Sequence, residues 1–345
     1  MRPADEVRIG TVPRFRRFLR VVRLAAASVL AIIVLALITG LCYEGIAERR
    51  DRASIPRTGR SVSVGNGRMM NIYCSGSGSP TVILESGHSV PGISWSLIQP
   101  RIASFTRACW YDRAGYGWSD PGSFPQRSDE IAEELHTLLA NAGEREPYVL
   151  AGHLFGTFNI RAYQHLYPHE VAGLVLIDPV SELPGNPTMP PKQHVEAMRP
   201  GMLVLARMLA QLGVFRLLTK NFHPAPPAGF SQETWHDIWE LTLQPKTIVA
   251  RMSETPLWAS ALEVTGTQPG DIPLLVLSPA SANPAKLQAQ AELAHLSPHG
   301  VHRIMAPVSA PMFYENSGDM VPYESPQEVT DAIHQIVLQI RNNTF

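Results

Sequence analysis

The stretch VLAGHLFG, residues 149–156, decides how this chain is read. Its first half belongs to a short apolar run, 148–152, which follows a proline and ends on glycine, as strands buried on both faces do. Gly152-His153-Leu154-Phe155-Gly156 then keeps the frame G-x-S-x-G, with leucine where serine belongs. In that frame the serine is a nucleophile held out on a sharp strand-to-helix turn. The two glycines read as the residues that permit the turn, and a helix is expected from about Gly156 through Tyr163 and Leu166. Leu154 has no nucleophilic atom, and no neighbouring base activates a hydrocarbon.

Outward from this stretch, β-rich runs alternate with helical patterns. Strands are expected at 62–64, 70–74, 81–84, 107–111, 173–178, 273–278 and 302–307. Ser128, followed by Asp129 and Glu130, starts a helix whose apolar stripe is Ile131, Leu135, Leu138 and Leu139, and Gly143 ends it. A last helix over about 326–341 carries Val329, Ile333, Ile336, Val337 and Ile340 on one face. Such alternation predicts an α/β protein, a mostly parallel sheet with helices on both faces. The segment from about 183 to 269 breaks it, being Pro-rich, then helical around 202–220, then marked by Trp235, Trp239 and Trp258. It reads as a cap over a pocket. Arg207, Gln211 and Arg216 interrupt its apolar part and argue against a second membrane span.

The front of the chain has a different character. Leu24 to Tyr43 carries no charge, and 20 residues of helix reach about 30 Å, the thickness of a hydrocarbon core. Seven arginines precede the run (Arg2, Arg8, Arg14, Arg16, Arg17, Arg20, Arg23), against Arg49, Arg50 and Arg52 close behind it. The excess predicts a signal anchor with a basic tail, 1–23, in the cytoplasm, a span at 24–43, a linker at 44–60, and an extracytoplasmic domain at 61–345. The competing reading is a cleaved signal peptide, for which Gly45-Ile46-Ala47 is a weak cleavage site. Leu41 spoils the lipoprotein pattern before Cys42, and RRFLR lacks the spacer of a twin-arginine signal. A formal net charge of −1 gives no support to nucleic-acid binding. Cys74 and Cys109 fall in expected strands; they bond in an oxidising compartment or stay two small buried hydrophobes.

Five motifs in order resemble the α/β-hydrolase family over roughly residues 60–341. ESGHSVPG at 85–92 is similar to the loop after the third strand, which supplies an oxyanion-hole amide; YDRAGYGWSD at 111–120 resembles the family's Asp-x-x-Gly-x-Gly-x-Ser turn. VLAGHLFG, VAGLVLIDP at 171–179 and ENSGDMVPYESPQEV at 315–329 complete the set. The resemblance implies an eight-stranded sheet, a helical cap and a serine-hydrolase ancestry. It also implies that nucleophile and histidine are replaced by Leu154 and Asp319, and that the acid is missing from 276–286, where Asn283 comes nearest. Asp178 and Glu182 are alternative acids, Asp178 being read as structural. Losing nucleophile and base together removes both ends of the proton transfer that makes serine reactive.

The expectation is therefore a membrane-anchored pseudohydrolase whose pocket, formed around Gly87, His88, Ser89, Leu154 and Phe155, takes a small apolar or ester-like ligand or a partner. The alternative is an active serine hydrolase with a displaced nucleophile, Ser89 with His88, although adjacent residues are not expected to point together. His153 should point away from the reaction. His295, His299 and His302 read as surface or core histidines rather than metal ligands, and no cofactor is implied.

Overall fold

In the computed structural model of the chain, the residues described are 13–123, 126–180, 200–221, 225–254, 269–306, 323 and 325–344. Eight strands form one sheet: β1 Arg60–Ser63, β2 Met69–Ser75, β3 Thr81–Glu85, β4 Ala108–Tyr111, β5 Tyr148–His153, β6 Val171–Ile177, β7 Leu274–Ser278 and β8 Gly300–Ile304. Their spatial order is β1-β2-β4-β3-β5-β6-β7-β8. β2 runs antiparallel to both its neighbours, and every other pair is parallel.

The apolar runs alternate their side chains between two layers, as a period of two requires. Val82, Leu84, Val149, Ala151, Leu275 and Leu277 face one core, with α2 (Gln99–Ala103) and α10 (Pro326–Asn342) packed on it. Ile83, Leu150, Leu174, Leu176, Leu274 and Val276 face the other, under α3 (Ser128–Ala142), α4 (Gly156–Leu166) and α9 (Pro284–Ala294). Gly143 ends α3 in the left-handed conformation, with φ 72°. Cys74 and Cys109 stand opposite each other in the β2–β4 register and are joined by a disulfide.

The region read as one helix over 202–220 is two, α5 (Pro200–Gln211) and α6 (Val214–Thr219). Gly213 breaks it, with φ 69° and no room for a side chain against the Tyr43 ring. The cap continues through α7 (Gln232–Thr242) and α8 (Pro245–Glu254).

Before the sheet lies α1, Pro13–Ser54, long and apolar enough to cross a membrane, whose most apolar window is unburied. The stretch expected as a linker, 44–60, is helical as far as Ser54. Its acidic residues are not free polar spacers: Glu44 and Asp51 both bind the buried Arg216 of α6, which also reaches Glu240 of α7.

Candidate active site

The sheet order reverses between β3 and β5: from β3 the chain moves outward to β4, then returns to place β5 on the other side. In open parallel sheets the crevice at the carboxyl ends of such a strand pair is where ligands bind. Glu85, the last residue of β3, lies in register with Gly152 of β5, so the loop after Glu85 and the turn around Leu154 leave the same edge of the sheet side by side.

β5 ends at His153 and α4 begins at Gly156, leaving Leu154 and Phe155 as the turn. Leu154 is in the left-handed region, φ 47°; its N–H donates to the Ile177 carbonyl at 3.0 Å, and its own carbonyl accepts from Thr157 N–H at 3.0 Å. Its half-buried side chain packs with Ile131, Phe155, Phe158 and Val180. The glycines permit the turn, as expected, but by close approach rather than by their φ. Neither Gly152 nor Gly156 has a positive φ; the left-handed residue is the leucine itself. A Cβ on Gly152 would come 2.8 Å from the Gly156 carbonyl oxygen, and one on Gly156 2.7 Å from Glu85 Cγ and the Ser86 carbonyl oxygen. Strand, helix and the neighbouring loop approach too closely for any side chain there.

The loop after β3 carries a second surprise. Ser89 Oγ lies 2.8 Å from His88 Nδ1, so the adjacent pair does point together. The reason is backbone: Ser89 adopts φ 72°, which swings its side chain back over its neighbour. His88 Nε2 is 3.0 Å from the Arg251 carbonyl of α8. A carbonyl only accepts, so Nε2 carries the proton and Nδ1 is left to accept from the Ser89 hydroxyl. Burial lowers the His88 pKa, outweighing the pull of Glu254, a shift that favours the neutral ring.

Beneath the loop sits a buried ionic cluster that sequence reading missed. Arg113 donates to Glu85 Oε1 at 2.7 Å, to the Ser86 and Gly87 carbonyls at 2.7 and 3.0 Å, and to Glu254 at 3.0 Å. Tyr116 donates to Glu254 at 2.7 Å and Asn159 to Glu85 at 2.9 Å. Burial opposes the charge on Arg113, but Glu254 and Glu85 outweigh it and hold its pKa above the usual range. Burial pushes Glu85 up, with Arg113 pulling it back. One guanidinium thus fixes the loop backbone and ties it to the cap. Arg113 and Tyr116 were visible in DRAGYG, read only as a turn; Glu254 has no local signal, being 141 residues from its partner.

The other candidates disperse. Asp178 is fully buried and held by Lys286 at 2.7 Å and Gln290 at 2.7 Å, with burial raising its pKa against the lysine's attraction. Asn283 caps α9, accepting from Lys286 N–H at 2.9 Å, and so serves a helix terminus. His302 contacts Ser278 at 2.7 Å, His299 contacts Asp271 at 2.7 Å, and His295 ends α9. His153 is buried, its Nδ1 2.9 Å from where a Cβ on Gly87 would sit. Asp319 and Glu182 lie outside the described residues. A separate polar cleft of about 630 Å³, lined in part by Arg52, Arg57, Arg207 and Lys246, includes none of Gly87, His88, Ser89, Leu154 or Phe155.

A doubly wound sheet with a strand–turn–helix elbow at its switch point defines the class, an α/β protein of hydrolase architecture. Residues 77–332 match the family model described as the alpha/beta hydrolase family, and the chain belongs to that family. Among curated proteins it is 24% identical over 161 residues to the uncharacterized protein YbdG of Bacillus subtilis, covering 46% of this chain and 49% of that one. It is 27% identical over 129 residues to the uncharacterized protein YqjL of the same organism, covering 37% and 51%. The chain thus spans about half the length of each. Among solved structures it resembles an esterase from Thermogutta terrifontis, with TM-score 0.57, 18% identity and coverage of 82% and 99%. A laboratory-evolved potato epoxide hydrolase gives TM-score 0.60, 17% identity and coverage of 81% and 99%. At such identities the likeness concerns the fold.

Proposed function

We propose that this chain is a membrane-anchored member of the family that does not run serine-triad hydrolysis and uses its crevice to bind a small apolar or ester-like ligand, or a partner. The carrying observation is Leu154 at the tip of the elbow, with a left-handed backbone and a hydrocarbon side chain. An elbow presents its central residue to the substrate, and this one has no lone pair to offer. The anchor is supported by the uncharged run in α1 and by the docking of its far end on the cap. Cleavage after Ala47 would remove Glu44 from the buried Arg216, which argues for retention. An extracytoplasmic domain fits the arginine excess before the span and the Cys74–Cys109 bond, since such bonds persist in oxidising compartments.

A second reading, hydrolysis from Ser89, rests on the Ser89–His88 hydrogen bond and the neutral, lowered-pKa imidazole. One experiment separates them. Detergent-solubilised full-length protein is treated with a fluorophosphonate probe and assayed on short p-nitrophenyl esters, beside Ser89→Ala. The binding reading expects neither labelling nor turnover in the parent. Labelling and turnover that both vanish in Ser89→Ala would transfer the function to the displaced pair.

A further inference from the structure

The cap carries a band of large apolar side chains that no described residue covers. On α5, Val204, Leu205 and Met208 are each more than half exposed; on α6, Leu217 is 54% and Leu218 76% exposed. Such a concentration on one small element exceeds the scattered singles of an ordinary soluble surface.

The two helices are not uniformly apolar. Ala206 and Ala210 of α5 are buried, small residues that let the helix sit closely on the cap beneath. Arg207 and Gln211, one turn apart, form an edge that lines the polar cleft. Val204, Leu205 and Met208 lie across the helix from the alanines at 100° per residue. On α6 the polarity is reversed inward: Arg216 is buried on Glu44, Asp51 and Glu240, while the next two leucines face out. A buried face, a polar edge carrying Arg207 and an outward apolar face fit a helix lying in a membrane interface.

The position of this band relative to α1 fixes its occupant. The junction between α5 and α6 touches the span: a Cβ on Gly40 would meet the Leu212 carbonyl oxygen at 2.9 Å, and one on Gly213 would meet the Tyr43 ring at 2.6 Å. Gly40 and Tyr43 belong to the last turn of the uncharged run, which ends at the boundary of the hydrocarbon. Leu205 is seven residues before Leu212, about 10 Å along a helix, and Leu218 is five residues after Gly213, about 8 Å. These side chains therefore stand no farther than about 10 Å along the helices from that boundary, within reach of the interface when α5 and α6 lie close to its plane.

We propose that the α5–α6 face of the cap is a second membrane contact, inserted at the headgroup–acyl boundary of the leaflet where α1 emerges. The cap of the crevice then rests on lipid, and an apolar ligand reaches it from the bilayer rather than from water. This rests on the reading of α1 as an anchor, and the test keeps the two apart.

The full-length chain, with Cys42→Ser, is reconstituted in phosphatidylcholine–phosphatidylglycerol nanodiscs. Nitroxides are attached singly at Leu205→Cys, Met208→Cys and Leu218→Cys. Ile33→Cys in the span and Gln288→Cys on the exposed surface of α9 serve as references. Collision with oxygen reports lipid, and collision with a nickel chelate reports water. The oxygen-to-nickel ratio at the three cap sites is expected to fall between those of Ile33, at the centre of the span, and Gln288, and clearly above Gln288. Cap sites that behave like Gln288 while Ile33 reports lipid would overturn the cap proposal and leave the anchor standing. An Ile33 label open to nickel would remove the anchor and the cap contact together. Cap labels shielded from both reagents would mean that protein, such as a second copy, covers the band, and the lipid proposal would fall.

Discussion

Leu154 is held in a conformation that costs an L-residue about 1–2 kcal/mol, and nothing local requires it to be leucine. What holds the turn is the contact of β5, α4 and the β3 loop through Gly152 and Gly156, where no Cβ fits. Gly156→Ala is therefore expected to destabilise the protein by about 2–3 kcal/mol, because its methyl meets backbone that cannot swing aside. Leu154→Gly is expected to change stability little, relief of strain offsetting lost packing. Urea unfolding of both variants checks the contrast; equal losses would mean that the leucine, not the glycines, secures the elbow. The sequence frame led to the right turn and to the glycines that permit it, but not to how they do so, since a glycine kept for close approach looks the same in print as one kept for its φ. The Ser89–His88 contact was misjudged for a related reason: a left-handed serine cannot be read from its residue type. Arg113, Glu85 and Glu254 escaped because their meeting is long-range, 28 and 141 residues apart.

Elements were far more legible. Each expected strand overlaps an observed one; β3, β4, β5, β6 and β7 are buried nearly throughout and so read as continuous apolar runs with abrupt ends. α9 was not anticipated: its buried side is mostly small or polar (Ala289, Gln290, Ala294), leaving Leu293 as its large contact, so no stripe announces it. The cap element α8 carries a titration that sequence could not place. Lys246 Nζ donates to the Gly117 and Ser119 carbonyls at 2.6 and 2.8 Å, and burial brings its pKa from 10.5 to about 8, with Asp112 opposing. Between these values the unfolded chain binds a proton that the folded chain has released, so this lysine's contribution to stability rises with pH. The stability of the parent minus that of Lys246→Met is expected to grow from pH 8 toward 10.5, by about 1.4 kcal/mol per unit inside the window, and to be flat outside it. Denaturant melts of both proteins at several pH values measure this, and a constant difference would show that the amine stays charged.

At the scale of the whole molecule, two cross-links of different chemistry secure the sheet and the front helix. The Arg216 cluster binds the end of α1 to the cap and works in any compartment. The Cys74–Cys109 bond ties β2 to β4 across 35 residues of chain and depends on redox conditions. Closing a loop of that length in the unfolded ensemble is worth about 3–4 kcal/mol. The double variant Cys74→Ala with Cys109→Ala is expected to lose about that much against the oxidised parent, and almost nothing against the reduced parent. Both cysteines lie on the sheet rather than on the elbow or the loop after β3, so the loss should appear in the unfolding midpoint without altering ligand response. The comparison also bears on topology. If reduction leaves the parent's midpoint unchanged, the bond contributes nothing to the folded domain, and its support for an oxidising location disappears. If the midpoint drops to that of the double variant, the domain gains its full stability only in an oxidising compartment, which is the environment the proposed topology requires.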